Sequence, residues 1–179
     1  NGMIISVGGV SIVQGEQSSK LEIINTELGK SAITWANDGS ELKSPGGELG
    51  GLISLRDDVI QADIDSLNNI TKSIVERVNA EHSKGVGVNG RSGGFFTENS
   101  DASTISVQSD LVATPAGVAA SGTGALGDNS VASAVSNIKA ERFINNQTIG
   151  EAYSAFVSAI ASQANQAKSM SNTLGLAAK

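Results

Sequence analysis

Gly85-Val86-Gly87-Val88-Asn89-Gly90 matches a chemical motif letter for letter. The pattern G-x-G-x-x-G lets backbone amides approach a pyrophosphate, provided that a strand precedes it and a helix follows. Here a helical pattern precedes and a Gly-, Asn- and Ser-rich stretch follows. The order is reversed, so a flexible turn is the expected role. His82 is the single histidine. A metal would need further ligands at suitable spacing, and no cluster of His, Asp or Glu surrounds it. Glu81 is its sequence neighbour, and residues one apart do not face each other on a helix. The expectation for His82 is a solvated side chain at a helix end, interacting with the helix dipole.

Nucleophilic and acid–base constellations are missing as well. No serine stands in a G-x-S-x-G elbow. Gly127-Asp128-Asn129-Ser130 departs from a hydrolase Gly-Asp-Ser block at its third residue, and a helix cap from Asp128 or Ser130 accounts for it better. Asp57-Asp58 and the pair Asp63 and Asp65 are paired carboxylates. Asp57, Asp58, Gln61, Asp65, Asn68 and Asn69 lie mainly opposite an isoleucine stripe, as a solvated face would. Arg56 is expected to pair with an acid three or four residues away. Asp63-Ile64-Asp65 lacks the glycine and closing glutamate of a calcium loop. With no cysteine in the chain, disulfides and thiol chemistry are excluded. The chain therefore reads as a non-enzyme, with no catalytic, cofactor or metal residues.

The elements that carry these residues are helical in the main. From Pro45 to Gly85, Ile53, Ile60, Leu67 and Ile74 recur every seven residues, and Ile64 and Val78 each follow a member of that series by four. One apolar stripe along a long helix results. About 35 residues would span about 50 Å at 1.5 Å per residue. The glycines at 46, 47, 50 and 51 weaken its start, so firm helix is expected from near Leu49. Lys84 and Gly85 suggest its end. A second long helix is expected from Thr148-Ile149-Gly150-Glu151, a capping box. Beyond it Tyr153, Ile160, Ala167 and Leu174 repeat every seven residues, with Ile149, Phe156 and Met170 on a neighbouring line. The two stripes favour a shallow crossing angle, as in coiled coils. Thr71 and Gln163 interrupt them, and two helices do not enclose a core. A third helix, from flanking sequence or another subunit, is expected to complete the packing.

Shorter elements surround the two helices. A helix over Asp128 to about Glu141 would bury Val131, Ala134, Val135 and Ile138. Residues 1–36 read as strands around Met3–Val7, Val10–Val13, Leu21–Ile24 and Ser31–Trp35, with turns at Gly8-Gly9, Gly29 and Asn37-Asp38-Gly39. Ile105-Ser106-Val107 suggests a further brief strand. Phe95-Phe96 stands in the polar stretch 85–103, where two adjacent aromatics serve best as an anchor on the core. The fold class expected is α+β: long antiparallel, bundle-like helices packed with a small antiparallel β-region. Residues 1–43 form the β-rich segment and 44–179 the helical region, with 85–127 inserted as loop and β-structure, all in one structural domain.

Composition agrees with an assembly protein. The chain has 179 residues, 39% hydrophobic but only 3% aromatic, so Ile, Val, Leu and Ala must fill the core. That suits close helix packing better than a large ligand pocket. A net charge of −6 and a pI of about 4.7 disfavour non-specific binding to nucleic acid or anionic membrane. No run of 18 or more apolar residues is present.

The ordered series Gly46-Gly47-Glu48-Leu49-Gly50-Gly51-Leu52-Ile53, Leu55-Arg56-Asp57, Val78-Asn79-Ala80-Glu81-His82 with Gly85, Asn89-Gly90 and Gly93-Gly94-Phe95-Phe96 resembles the flagellar hook-associated protein 1 family, FlgK. Gly127-Asp128-Asn129, Ala152-Tyr153, Phe156-Val157-Ser158 with Ile160, and Val10-Ser11-Ile12-Val13-Gln14-Gly15 agree with it. The resemblance covers most of residues 1–174 and is weakest over 97–126. It implies a secreted, extracellular structural subunit that leaves by the flagellar type III export route and forms a ring joining hook and filament. Its implied partners are further copies of itself, the hook protein, the next junction protein and an export chaperone; nucleic acid, membrane and cofactors are not among them. The family's terminal coiled-coil segments have no counterpart here, so the sequence resembles a central piece, and an outer β-domain of many relatives is reduced to about 30 residues. Flagellin or hook-type axial proteins are an alternative. So is a surface adhesin or carbohydrate-binding module, which would need an exposed aromatic platform at Trp35 or Phe95-Phe96.

Overall fold

The computed structural model describes residues 4–7, 10–14, 16–25, 31–42 and 46–177. Its contacts group into two compact units, Asn1–Gln61 and Ala62–Lys179.

The first unit carries the strands. β1 (Ile4–Val7), β2 (Val10–Gln14) and β3 (Gln17–Ser18) form an antiparallel sheet in that order. β4 (Leu21–Asn25) and β5 (Ser31–Trp35) pair antiparallel, with Ile23 opposite Ile33. The suggested turns at Gly8-Gly9 and Gly29 lie outside the described residues. The turn at Asn37-Asp38-Gly39 forms as expected. Gly39 takes φ 70°, a left-handed conformation that costs glycine nothing, and its amide donates to the Trp35 carbonyl at 2.8 Å. Trp35 and Leu42 are buried beside it.

Helical backbone then runs from Gly47 to His82, but not as one α-helix. α1 (Gly47–Ser54) leads into a π-helical turn, Leu55–Val59, and α2 (Ile60–His82) follows. A π turn inserts an extra residue into the helical repeat. Seven-residue spacing counted across it, from Ile53 to Ile60, therefore does not keep one face. Arg56 also pairs otherwise than expected. Its guanidinium folds onto the adjacent Asp57, with Nε to Oδ1 at 2.7 Å and Nη2 to Oδ2 at 2.8 Å. The positions three and four residues away hold Leu52, Ile53, Val59 and Ile60, so the adjacent Asp57 is the acid within reach.

The second unit contains α2 from Ala62 onward, α3 (Ser109–Ala113), α4 (Ser130–Asn137) and α5 (Ile149–Ala177). The chain is thus α+β, with long helices and two small antiparallel sheets. Asp63 meets Gln163 while Ile70 meets Ala152, so α2 and α5 run antiparallel. Ile70, Ile144 and Ala152 form the buried cluster, with Ile74, Phe143, Ile149 and Phe156 packed against it. The capping box at the start of α5 is complete. The Glu151 amide donates to Thr148 Oγ1 at 3.2 Å, and the Thr148 amide to Glu151 Oε2 at 2.9 Å. In place of the brief strand at Ile105–Val107, a single bridge joins Phe96 to Val107. Val131 and Ile138 of the short helical segment are buried as its pattern requires, while Ala134 and Val135 are half-buried.

Candidate assembly surface and helix-end clamp

The apolar residues expected on helix-packing faces fall into two groups. Ile53, Leu67, Ile74, Val78, Ile149 and Phe156 are half-buried. Ile60, Ile64, Tyr153 and Ile160 are exposed, at 45%, 47%, 56% and 39%. The Leu174 side chain lies outside the described residues. A straight helix repeats every 3.6 residues rather than 3.5, so a strict heptad drifts off its face. In α2 the buried side has moved to Ile70, Thr71 and Val75. Ile70 and Ile144 were missed by counting sevens. The i+3 step from Leu67 and the i−4 step from Ile74 would have marked Ile70; Ile144, in a turn, carries no such signal.

The residues that seemed to interrupt the stripes have partners within the unit. Thr71 Oγ1 donates to the Leu67 carbonyl at 3.0 Å. Gln163 Nε2 donates to Asp63 Oδ1 at 3.4 Å across the two long helices. Ser66, Ala155 and Ala159, together with Ile70, Ile144 and Phe156, line a groove of about 330 Å³ between them. Asp63 is the charged group in that lining and is bonded to Gln163, so the groove presents no set of convergent charges.

Chemistry-bearing residues gather instead at the C-terminal end of α2, where they act as a clamp. Asn79 Oδ1 accepts from the Phe95 and Phe96 amides, both at 2.8 Å, and its Nδ2 donates to the Phe96 carbonyl at 3.0 Å. One helix side chain thereby pins the Phe-Phe segment. The aromatic rings meet edge to face, Phe95 on Phe96 and on His82, with centroids 4.9 and 5.4 Å apart.

His82 is buried at 3% exposure, not solvated. Its Nδ1 lies 2.7 Å from the Gly93 carbonyl, and its Nε2 accepts the Ala119 amide at 2.9 Å. The ring joins α2 to two separate stretches of chain, a role that required long-range partners invisible in the local sequence.

The G-x-G-x-x-G run is a packing device. Val86 bridges Ser121. A Cβ on Gly85 would lie 2.7 Å from the Ser121 carbonyl, and one on Gly87 2.6 Å from the Ala116 carbonyl. Gly85 is absent from the positive-φ glycines, so close approach rather than a left-handed cap explains it. The first half of the run is therefore wedged against residues 116–121, while the second half forms the expected turn: the Gly90 amide donates to the Gly87 carbonyl at 2.9 Å, Gly90 takes φ 80° and Val88 is exposed.

Ion pairs brace the same end. Arg77 forks onto Glu141, with Nε to Oε2 at 2.6 Å and Nη2 to Oε1 at 2.9 Å, and also bonds Glu81. Lys84 reaches both Glu81 oxygens at 2.9 Å. Lys84 first and then Arg77 hold the Glu81 carboxyl below its usual range. Arg91 bonds Asp110 and the Gly94 carbonyl. Asp128 closes the 121–130 loop. Its oxygens accept from the Ser121 and Thr123 hydroxyls at 2.7 and 2.8 Å and from the Thr123 and Ser130 amides, each at 3.0 Å. Ser121 above all, then the Ser130 amide, holds this carboxyl far below the usual range.

These contacts tie the end of α2 to the 91–96, 116–121 and 138–141 stretches. Among the described residues no group of three or more histidines and carboxylates converges as a metal would need, and no helix is long and apolar enough to cross a membrane. Trp35 is buried, and Phe95 and Phe96 are half-buried edge-on. Neither offers the flat exposed platform that a carbohydrate-binding module would use.

In comparison with known proteins, residues 1–96 match the model of the flagellar hook-associated protein FlgK helical domain. No curated protein matches the chain.

Proposed function

The chain belongs to the flagellar hook-associated protein FlgK family, and on that premise we propose that it is a subunit of the ring joining hook to filament. The family match over residues 1–96 carries this reading. A flagellar hook-associated protein assembles with other axial components of the flagellum. The finer role assigns it copies of itself, the hook protein and the next junction protein as neighbours, and an extracellular position reached by flagellar export.

Exposed apolar residues on both long helices support the assembly reading. Ile64 on α2 and Tyr153, Val157, Ile160 and Met170 on α5 are 39–67% exposed. Neighbouring helices in the assembled ring would bury them, each contributing about 1 kcal/mol as its remaining apolar surface is covered. The expected structural role of the helix-packing residues is completed by that contact.

Deleting the gene tests the proposal. Hooks without filaments, with flagellin released into the medium, are expected by electron microscopy and immunoblotting. Normal filaments in the deletion strain would refute it.

A further inference from the structure

We propose that His82 is a proton-sensitive latch that holds the 117–121 segment to the end of α2 only while its imidazole is neutral. The Gly93 carbonyl, 2.7 Å from Nδ1, requires a proton on that nitrogen. The Ala119 amide, 2.9 Å from Nε2, requires a bare lone pair on the other. One carbonyl and one N–H thus admit a single form, the neutral Nδ1–H tautomer. A second proton would set Nε2–H against the Ala119 N–H, leaving two buried donors face to face and a charge in a 3% exposed site.

No neighbouring carboxylate relieves that conflict. On the ring's own helix, Glu81 is committed to Arg77 and Lys84. From the 91–96 segment comes Arg91, a cation, bonded to Asp110 and Gly94. Residues 117–121 carry no titratable side chain; Asp128 reaches them only through the Ser121 hydroxyl. The remaining contact is the edge of Phe95.

Release is confined to one side. The Asn79 bonds to Phe95 and Phe96 contain no titratable group, so the Phe-Phe segment stays pinned while Ala119 lets go. Asp110, Asp128, Glu81 and Glu141 all have their carboxyls held below the usual range by their partners. Those braces keep their charge at mildly acidic pH. Histidine is the side-chain type that ordinarily changes charge between pH 5 and 8, and this chain has one. Uptake of one proton shifts an equilibrium at most tenfold per pH unit.

Amide hydrogen exchange on the whole chain, corrected for intrinsic exchange rates and read between pH 7 and 5, tests the latch. Ala119 protection is expected to fall by up to tenfold per pH unit as the imidazole takes up its second proton, while Val75 in α2 keeps its protection. His82→Gln offers a non-titrating donor and acceptor, and its Ala119 protection should be flat over the same range. In the wild-type chain, ¹⁵N shifts should report the Nδ1–H tautomer at pH 7 and its loss in step with Ala119 protection. Unchanged Ala119 protection while His82 titrates, an Nε2–H tautomer at pH 7, or an equal fall in the glutamine variant would overturn the proposal.

Discussion

Replacing Asn79 by alanine removes three hydrogen bonds at once. The Phe95 and Phe96 amides lose their acceptor, and the Phe96 carbonyl loses its donor. Each bond contributes about 1 kcal/mol net, and backbone groups left without partners in a half-buried site keep most of that cost. The sum is a loss of about 2–3 kcal/mol. For a unit the size of Ala62–Lys179, that corresponds to a fall in Tm of roughly 8–12 °C. Asn79→Asp separates the two kinds of bond. It keeps the acceptor for both amides but turns a second acceptor toward the Phe96 carbonyl, so its loss should be about half that of alanine. Urea unfolding followed by circular dichroism measures both, and native helix content should be retained. An alanine variant within 0.5 kcal/mol of wild type, or an aspartate variant as damaged as alanine, would show that the Phe-Phe segment is held by something other than this clamp.

Other substitutions probe the rest of the fold. Gly87→Ala places a Cβ 2.6 Å from the backbone of Ala116 and Gly117, and calorimetry should show a loss of about 2 kcal/mol or more; an unchanged Tm would contradict the wedge. Thr148→Ala breaks the capping box and should cost about 1 kcal/mol in urea unfolding, whereas no change would mean that the α5 terminus needs no cap. Asp128 has a depressed folded value, so its contribution is present above the unfolded value near pH 4 and lost as pH falls below it. Asp128→Asn should therefore lower stability at pH 6 and flatten its decline between pH 4 and 2, and parallel pH profiles for variant and wild type would refute that assignment.

Local signals were the legible ones. Thr148 and Glu151 stand at capping-box spacing, and both bonds form because their partners are three residues apart. Strands β4 and β5 and the turn at Asn37-Asp38-Gly39 follow from β-branched runs and turn residues in the same way. The resemblance to the hook-associated family, read from glycine and Asn-Ala-Glu-His segments, agrees with the family match over residues 1–96. What escaped the sequence was set at a distance. His82 sits at a helix end, where a solvated ring is the ordinary outcome, yet Gly93 and Ala119 arrive from 11 and 37 residues away to enclose it. The glycines at 85 and 87 read as part of a flexible turn until residues 116–121 pack on them. The π turn at Leu55–Val59 has no compositional marker, and it defeats any count of sevens that crosses it.

The central claim, that the exposed apolar side chains of the long helices serve assembly in the flagellum, is tested most directly by Ile64→Asp with Tyr153→Asp in the chromosomal gene. Both side chains are about half exposed, so each substitution should cost roughly 1 kcal/mol of folding stability, and circular dichroism checks that the variant stays folded. Burying two carboxylates at a subunit contact should prevent assembly. The account predicts a folded, exported protein recovered from the medium, with hook tips that lack both it and filaments under immunoelectron microscopy. Filaments of normal number and length, with the variant retained at the hook tip, would contradict it.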